Sequence, residues 1–150
     1  MTASAVMDPN PTVVHPDDII DTAARHIMAH RYRNLPVVDD EGRYLGIFGV
    51  NCLLKLVLPK AAVMEKGLDS LSFVHETLAD LHLRLNEIGQ EPVSVCMNTE
   101  LVTVPPDHPL VETLLILYRT KTSIPVVEPE SGRLLGMISY WDVGSKILSA

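Results

Sequence analysis

Hydrophobic residues follow two different spacings, and each spacing occurs twice along the chain. In residues 20–27 and 110–117 they recur every three or four positions, which is typical of one face of an α-helix. Residues 35–38 and 124–127 are short, continuous hydrophobic runs with a proline near the start, which is typical of a buried strand. The pattern therefore predicts a helix followed by a buried strand, once in each half of the chain.

Two copies of a similar sequence lie about 90 residues apart. A shift of 90 aligns hydrophobic, proline and aspartate positions, and a shift of 89 aligns the two Pro-Val-Val runs. The shift changes from 90 to 89 before the Pro-Val-Val run and returns to 90 after it. Both one-residue changes fall where loops are expected, so the alignment indicates an internal repeat. The aligned pairs include Met7 with Met97, Val14 with Val104, Pro16 with Pro106, Asp17 with Asp107, Pro36 with Pro125, Gly42 with Gly132, and Gly46 with Gly136.

Each copy predicts the element order β-α-β-β-α. An extended stretch comes first, and an aspartate then begins the helix by capping its first N–H groups. A glycine turn follows the proline-containing strand and leads to a second strand and a closing helix. The first strand, second hairpin strand and closing helix are predicted at residues 12–15, 44–48 and 51–58 in the first copy, and at residues 101–104, 134–138 and 140–148 in the second.

An insert separates the two copies. Its hydrophobic residues recur at three and four positions, which predicts an amphipathic helix over residues 69–88, ended by Gly89. This helix either covers the core or contacts another subunit or partner. We divide the chain into a first copy (residues 1–58), the insert (residues 59–92) and a second copy (residues 93–150).

Length and composition fit one soluble globular unit. The 150 residues are 47% hydrophobic and 21% charged, which argues against a disordered chain. The formal net charge of −7 argues against a nucleic-acid partner, because phosphates are neutralised by basic residues. No stretch reaches the roughly 18 apolar residues of a membrane span, and residues 1–7 lack the features of a secretory signal. We therefore expect a cytoplasmic protein in which Cys52 and Cys96 stay reduced.

The repeated pieces also resemble a known family. Val6-Met7 and Cys96-Met97 open the copies, and a Pro-Val-Val strand and the pattern Gly-Arg-x-Leu-Gly follow in both. Residues 136–142 then read Gly-Met-Ile-Ser-Tyr-Trp-Asp. In this order the pieces resemble a CBS-domain pair, also called a Bateman module, over nearly the whole chain except the insert. The resemblance implies an α/β (α+β) fold of tandem CBS repeats, packed sheet to sheet as a pseudo-two-fold pair.

The resemblance also implies a function. Such pairs are regulatory cassettes without catalytic activity, and their clefts often bind AMP, ADP, ATP or S-adenosylmethionine. The modules commonly associate with one another. We therefore expect a free-standing, non-enzymatic module that binds an adenosine compound, forms a homodimer and acts on an unknown protein partner. We expect no obligatory cofactor and no metal. We also expect no nucleic-acid or membrane partner.

Two residues of the last motif carry the expected ligand chemistry. In the family, the hydroxyl residue at the position of Ser139 touches phosphate or ribose, and the aspartate at the position of Asp142 binds ribose. The chemistry agrees, because a carboxylate accepts hydrogen bonds from both ribose hydroxyls and a helix start favours an anion. By the same resemblance, the base contacts are expected at Val102, Thr103, Ile124 and Pro125, and the basic residues near the phosphates are His30, Arg31, Arg33, Arg119 and Lys121.

Two observations keep an alternative open. Ser139 and Asp142 also fit a capping box, in which both side chains bond only to the first turn of a helix and no ligand is needed. The first copy has Gly49 and Cys52 at the equivalent positions, and neither residue serves a ribose diol. We therefore predict at most one strong nucleotide site per chain. The alternative function is a ligand-free dimerisation or protein-interaction module.

Overall fold

The computed structural model describes residues 1–58 and 75–150. Each copy contains a helix, a two-stranded sheet and a closing helix, in the predicted order. The elements are α1 (Ile20–His30), β1 (Asn34–Val38), β2 (Tyr44–Gly49), α2 (Val50–Val57), α3 (Leu78–Ile88), α4 (Leu110–Thr120), β3 (Ile124–Val127), β4 (Leu134–Ile138) and α5 (Tyr140–Ser149), with single 3-10 turns at Ala3–Ala5 and Val93–Val95.

The two sheets have the same architecture. β1 pairs with β2, and β3 pairs with β4, both in antiparallel register. The predicted first strand of each copy shortens to a single parallel bridge, at Val14 and at Val104. One reason is that Val14 pairs with Val37, and the preceding residue Pro36 has no N–H to donate to a longer ladder.

The helices α1 and α4 begin without the aspartate cap that the sequence predicts. Their N-cap positions carry no side-chain hydrogen bond. The backbone N–H of Ile20 donates instead to the carbonyl of Glu91 at 3.0 Å, and that of Leu110 donates to the carbonyl of Met1 at 3.1 Å. The cap prediction was wrong because segments distant in sequence satisfy these donors.

The two copies exchange their opening segments, so that each segment packs in the hydrophobic core of the other copy. Ala3, from the start of the chain, is fully buried in the core of the second copy. Val93, from the start of the second copy, is fully buried in the core of the first. The exchange is hydrogen-bonded as well, since the N–H of Asp8 donates to the carbonyl of Met137 at 2.8 Å. Each copy therefore folds around a segment of the other.

The two β-hairpins also meet at their turns. The N–H of Tyr44 donates to the carbonyl of Gly132, and the N–H of Leu134 donates to the carbonyl of Gly42, both at 2.9 Å. Gly42 and Gly132 have φ values of +79° and +75°, which only glycine adopts at low cost. This reciprocal pair of bonds is the arrangement expected of a pseudo-two-fold relation between the copies.

The insert helix is shorter than predicted. Of the predicted range 69–88, residues 69–74 lie outside the described part of the chain, and α3 begins only at Leu78. The side chain of Thr77 accepts a hydrogen bond from the N–H of Asp80, and the Asp80 carboxylate bonds back to the Thr77 backbone. This capping box fixes the start of α3 at Leu78, and residues 75–77 are not helical.

The helix α3 lies on the first copy. Leu85 and Ile88 pack against its core, and the Arg84 guanidinium donates to the carbonyl of Val57 at the end of α2. Gly89 ends the helix as predicted, but with right-handed backbone angles. Of the two roles considered for the insert, this packing favours the covering role.

Candidate functional site

A cavity of about 670 Å³ lies between the two copies and draws its walls from both. The first copy contributes the segment before its first helix and the approach to β1. The second copy contributes the approach to β3 and the start of α5. Both members of the predicted Ser139 and Asp142 pair line it.

Ser139 and Asp142 form a capping box at the start of α5. The Asp142 carboxylate accepts from the backbone N–H of Ser139 at 3.0 Å and from its hydroxyl at 2.7 Å. The Ser139 oxygen accepts in turn from the N–H of Asp142 at 3.2 Å. Both bonds to the carboxylate use the same oxygen, Oδ2, so Oδ1 is not engaged by the cap.

Three basic side chains line the same cavity: Arg31, Arg33 and Lys121. Within residues 1–58 and 75–150, none of the three forms a salt bridge with a carboxylate, whereas Arg25 and Arg43 each bond an aspartate within 3 Å. The wall also holds the carboxylates of Asp8 and Asp142. The cavity therefore brings three cations, unpaired among the described residues, near two acids, which suits a ligand with hydroxyls and negative charge.

Two of these cations occupy equivalent positions with unusual backbone angles. Arg31 ends α1 with φ +56°, and Lys121 ends α4 with φ +57°. A left-handed residue other than glycine costs roughly 1–2 kcal/mol, and glycine is the usual residue at such a helix end. A basic side chain stands at both places, and both side chains line the cavity.

The remaining predicted site residues lie elsewhere. Ile124 and Pro125 are buried in the second copy, and neither they nor Val102 and Thr103 line the cavity. Lys121 does line it. The pseudo-two-fold packing places the opening segment of the first copy opposite the final motif of the second. The repeat counterparts of Val102, Ile124 and Pro125 are Thr12, Leu35 and Pro36, and these three line the cavity.

Sequence reasoning missed Tyr32, an aromatic residue that lines the cavity and packs against His26 and His30, which are not part of its lining. The ring of Tyr32 stacks on His30 with 5.4 Å between centroids and 7° between planes, and His30 lies 4.4 Å from His26. The Tyr32 hydroxyl lies 3.4 Å from the Thr12 hydroxyl. The four-residue spacing of the two histidines marks one face of a helix, and it does not show that Tyr32, after the end of α1, lines a cavity together with Ser139.

The equivalent position in the first copy has no capping side chain. Gly49 is the N-cap of α2, and the N–H of Val50 donates to the carbonyl of Arg33 at 3.0 Å. The Cys52 thiol is buried and donates to the carbonyl of Ile47. The first N–H group of α2 is therefore bonded to a backbone carbonyl and not to a side chain.

A family model of the CBS domain matches the chain twice, over residues 3–59 and 91–148. The chain therefore belongs to the CBS domain family, and its two copies form a CBS pair. This confirms the fold class that the internal repeat and its motifs indicated. No curated protein sequence matches the chain.

Solved structures have the same fold. CBSX2, solved in complex with AMP, is 23% identical with a TM-score of 0.70, covering 99% of this chain and 96% of that chain. The CBS domain pair of protein MJ0100, solved with 5′-methylthioadenosine and S-adenosyl-L-methionine, is 16% identical with a TM-score of 0.63, covering 98% and 99%. The CBS-domain containing protein ATU1752 from Agrobacterium tumefaciens is 26% identical with a TM-score of 0.64, covering 96% and 91%.

Two features are absent from residues 1–58 and 75–150. None of the helices there combines the length and the hydropathy needed to cross a membrane. No three histidine, cysteine or acidic side chains of these residues lie together in a way that would hold a metal ion.

Proposed function

We propose that the chain is a non-catalytic regulatory module that binds one adenosine compound in the cavity between its two copies. The observation that carries this proposal is the position of Ser139 and Asp142, which line the same cavity as three cations that form no salt bridge within residues 1–58 and 75–150. The complexes of CBSX2 with AMP and of MJ0100 with S-adenosyl-L-methionine support the class of ligand. We expect the module in the cytoplasm, acting on a protein partner.

The proposed binding mode gives each part of the ligand a partner. The ribose hydroxyls donate to the Asp142 carboxylate, and the Ser139 cap bonds are exchanged for ligand bonds. The phosphates lie against Arg31, Arg33 and Lys121. The base lies against the first-copy wall at Thr12 rather than against Val102. Because that wall is basic, we expect AMP, ADP or ATP to bind more tightly than the cationic S-adenosylmethionine.

The partner surface follows from a difference between the copies. In the first copy, α3 packs on the pair α1 and α2. In the second copy the outer surface of α4 exposes Val111, Leu115 and Tyr118, which recur at helical spacing, and α5 exposes Ile147 and Leu148. We expect a second copy of this chain to cover this apolar stripe as a homodimer. Light scattering should show a dimer that Leu115→Glu converts to a monomer.

Thermal unfolding with added ligand tests the proposed function. A ligand at 100 times its dissociation constant stabilises the folded state by about 2.7 kcal/mol, which for this size raises Tm by roughly 5–10 °C. We expect AMP or ATP to give such a shift and S-adenosylmethionine or NAD to give less. The Asp142→Ala variant should lose the shift. Asp80→Ala, which breaks the matching capping box on α3, should keep it.

The ligand-free interaction module is the second candidate. Its supporting observation is the Ser139 and Asp142 capping box, which is complete without a ligand. If none of the four compounds changes Tm while the chain still dimerises, this candidate replaces the first.

A further inference from the structure

Asn34 lies against a glycine at the junction of the two copies. It opens β1 and pairs with Gly49 of β2. A Cβ atom on Gly49 would collide with the Asn34 side-chain oxygen and lie 2.6 Å from the carbonyl oxygen of Arg33. No larger residue fits there without a shift of the backbone, so the glycine at position 49 makes the space that the Asn34 amide occupies.

The other end of the same amide reaches the second copy. The Asn34 Nδ2 donates to the Thr122 hydroxyl oxygen at 3.1 Å, a half-buried bond between residues 88 positions apart. Thr122 directly follows Lys121, the residue that ends α4 in left-handed conformation. Asn34, Lys121 and Thr122 all line the cavity. The bond therefore joins one wall of the cavity to the turn that carries a cation of the other wall.

A left-handed lysine persists where surrounding contacts hold it, because the conformation costs free energy locally. The described hydrogen bonds of this turn are the helix-end bond from the Lys121 N–H to the carbonyl of Leu117 and the bond from Asn34 to Thr122. The second bond is the one that comes from the opposite copy. It holds the backbone at Lys121 in a defined position relative to the first-copy residues that line the cavity.

We propose that Asn34 is a positioning residue that holds the Lys121–Thr122 turn against the cavity, with Gly49 as the residue that makes room for it. The inference rests on the proposed function, because it assigns Asn34 a role in phosphate binding through Lys121. Asn34 does not itself need to touch the ligand. Its removal should therefore weaken binding of the phosphate while leaving binding of the nucleoside in place.

Calorimetric titration of the full chain with AMP and with adenosine separates these effects. Loss of one hydrogen bond corresponds to about a 2- to 12-fold weaker Kd. We expect a loss of this size for AMP in Asn34→Ala and in Thr122→Val. Adenosine affinity should stay within about twofold of wild type, and the double variant should bind AMP about as well as either single variant. Asn86→Ala, an exposed amide on α3, is the matched control and should change neither affinity.

Equal losses for AMP and adenosine would overturn the positioning role, since they indicate a general disturbance of the cavity. Unchanged AMP affinity in both folded variants, or additive losses in the double variant, would also overturn it. If wild type binds neither compound, the proposed function itself fails. Thermal unfolding of each variant checks folding, and Thr122→Val keeps the test decisive if Asn34→Ala does not fold.

Discussion

The Asp142 carboxylate and the Ser139 hydroxyl lie 2.7 Å apart and bond to each other at the start of α5. The same carboxylate oxygen also accepts the backbone N–H of Ser139 at 3.0 Å. In the proposed complex this carboxylate accepts hydrogen bonds from the ribose hydroxyls. In that complex, ligand binding and capping of α5 would be coupled, because both would use polar atoms of Ser139 and Asp142.

The cap should have a measurable effect on stability without any ligand. Ser139→Ala removes the hydroxyl that accepts from the N–H of Asp142, so we expect a loss of about 1 kcal/mol and a Tm lower by about 2–4 °C. Thr77→Ala, in the matching capping box of α3, should cost a similar amount. Thermal unfolding followed by circular dichroism measures both.

The two variants should differ once AMP is added. Ser139→Ala should show a smaller AMP-induced rise in Tm than wild type, and Thr77→Ala should show the wild-type rise. A full AMP response in Ser139→Ala would mean that its hydroxyl belongs only to the cap.

The exchanged opening segment should stabilise the second copy. Ala3 is fully buried there, so Ala3→Leu overpacks the core and should cost about 1–3 kcal/mol. Ala5 is exposed two residues later, and Ala5→Leu should change stability by less than about 0.5 kcal/mol. Hydrogen exchange of Ala3→Leu should rise in α4 before it rises in α1. Faster exchange in α1 first would contradict the exchange of segments between the cores.

Two glycines of the second copy should respond in opposite directions to the same substitution. A Cβ on Gly136 would lie 2.5 Å from the carbonyl oxygen of Asp8, so Gly136→Ala should lower the free energy of unfolding. A Cβ on Gly144, within α5, would meet nothing within 4 Å. Gly144→Ala should therefore raise the stability by about 0.5–1 kcal/mol through helix propensity. Denaturant unfolding compares them, and a stabilising Gly136→Ala would show that the chain start does not pack there.

The thiol of Cys96 should react slowly in the native protein. Burial, with a smaller effect of nearby Cys52, raises the pKa of the Cys96 thiol to about 11. The thiolate is the reactive form, so its fraction at pH 8 is small and should grow as pH rises toward that value. Disulfide exchange with an aromatic disulfide reagent in the Cys52→Ser variant measures this. A rate that levels off near pH 8.5, the value for an unperturbed thiol, would contradict the buried environment.

The order of elements could be predicted from the sequence, because the spacing of hydrophobic residues reports which face of a helix or strand is buried. The repeat shows the same spacing twice. It also pointed to Ser139 and Asp142 as candidate site residues, since the motif that holds them is continuous in sequence, and both line the cavity between the copies. Val102 and Ile124, where base contacts were predicted, do not line the cavity that holds Ser139 and Asp142, whereas their counterparts in the first copy do. Which copy faces which motif depends on packing between residues far apart in sequence, and no local pattern reports it.

The helix starts failed as predictions for a related reason. An aspartate before a helix is a good local cap, but the first N–H of α1 reaches the carbonyl of Glu91 instead. The position of that carbonyl follows from the exchange of opening segments between the cores. The local sequence shows which side chains could cap the helix, but tertiary packing places a distant backbone carbonyl at that position instead.

A crystal structure of the chain grown with AMP tests the central claim most directly. We expect one AMP per chain in the cavity between the copies, with the ribose hydroxyls within about 3 Å of the Asp142 carboxylate, as charge-assisted hydrogen bonds require. The phosphate should lie against Arg31, Arg33 or Lys121. An AMP bound elsewhere on the chain, with the bonds between Ser139 and Asp142 intact and the cavity empty, would contradict the proposed site.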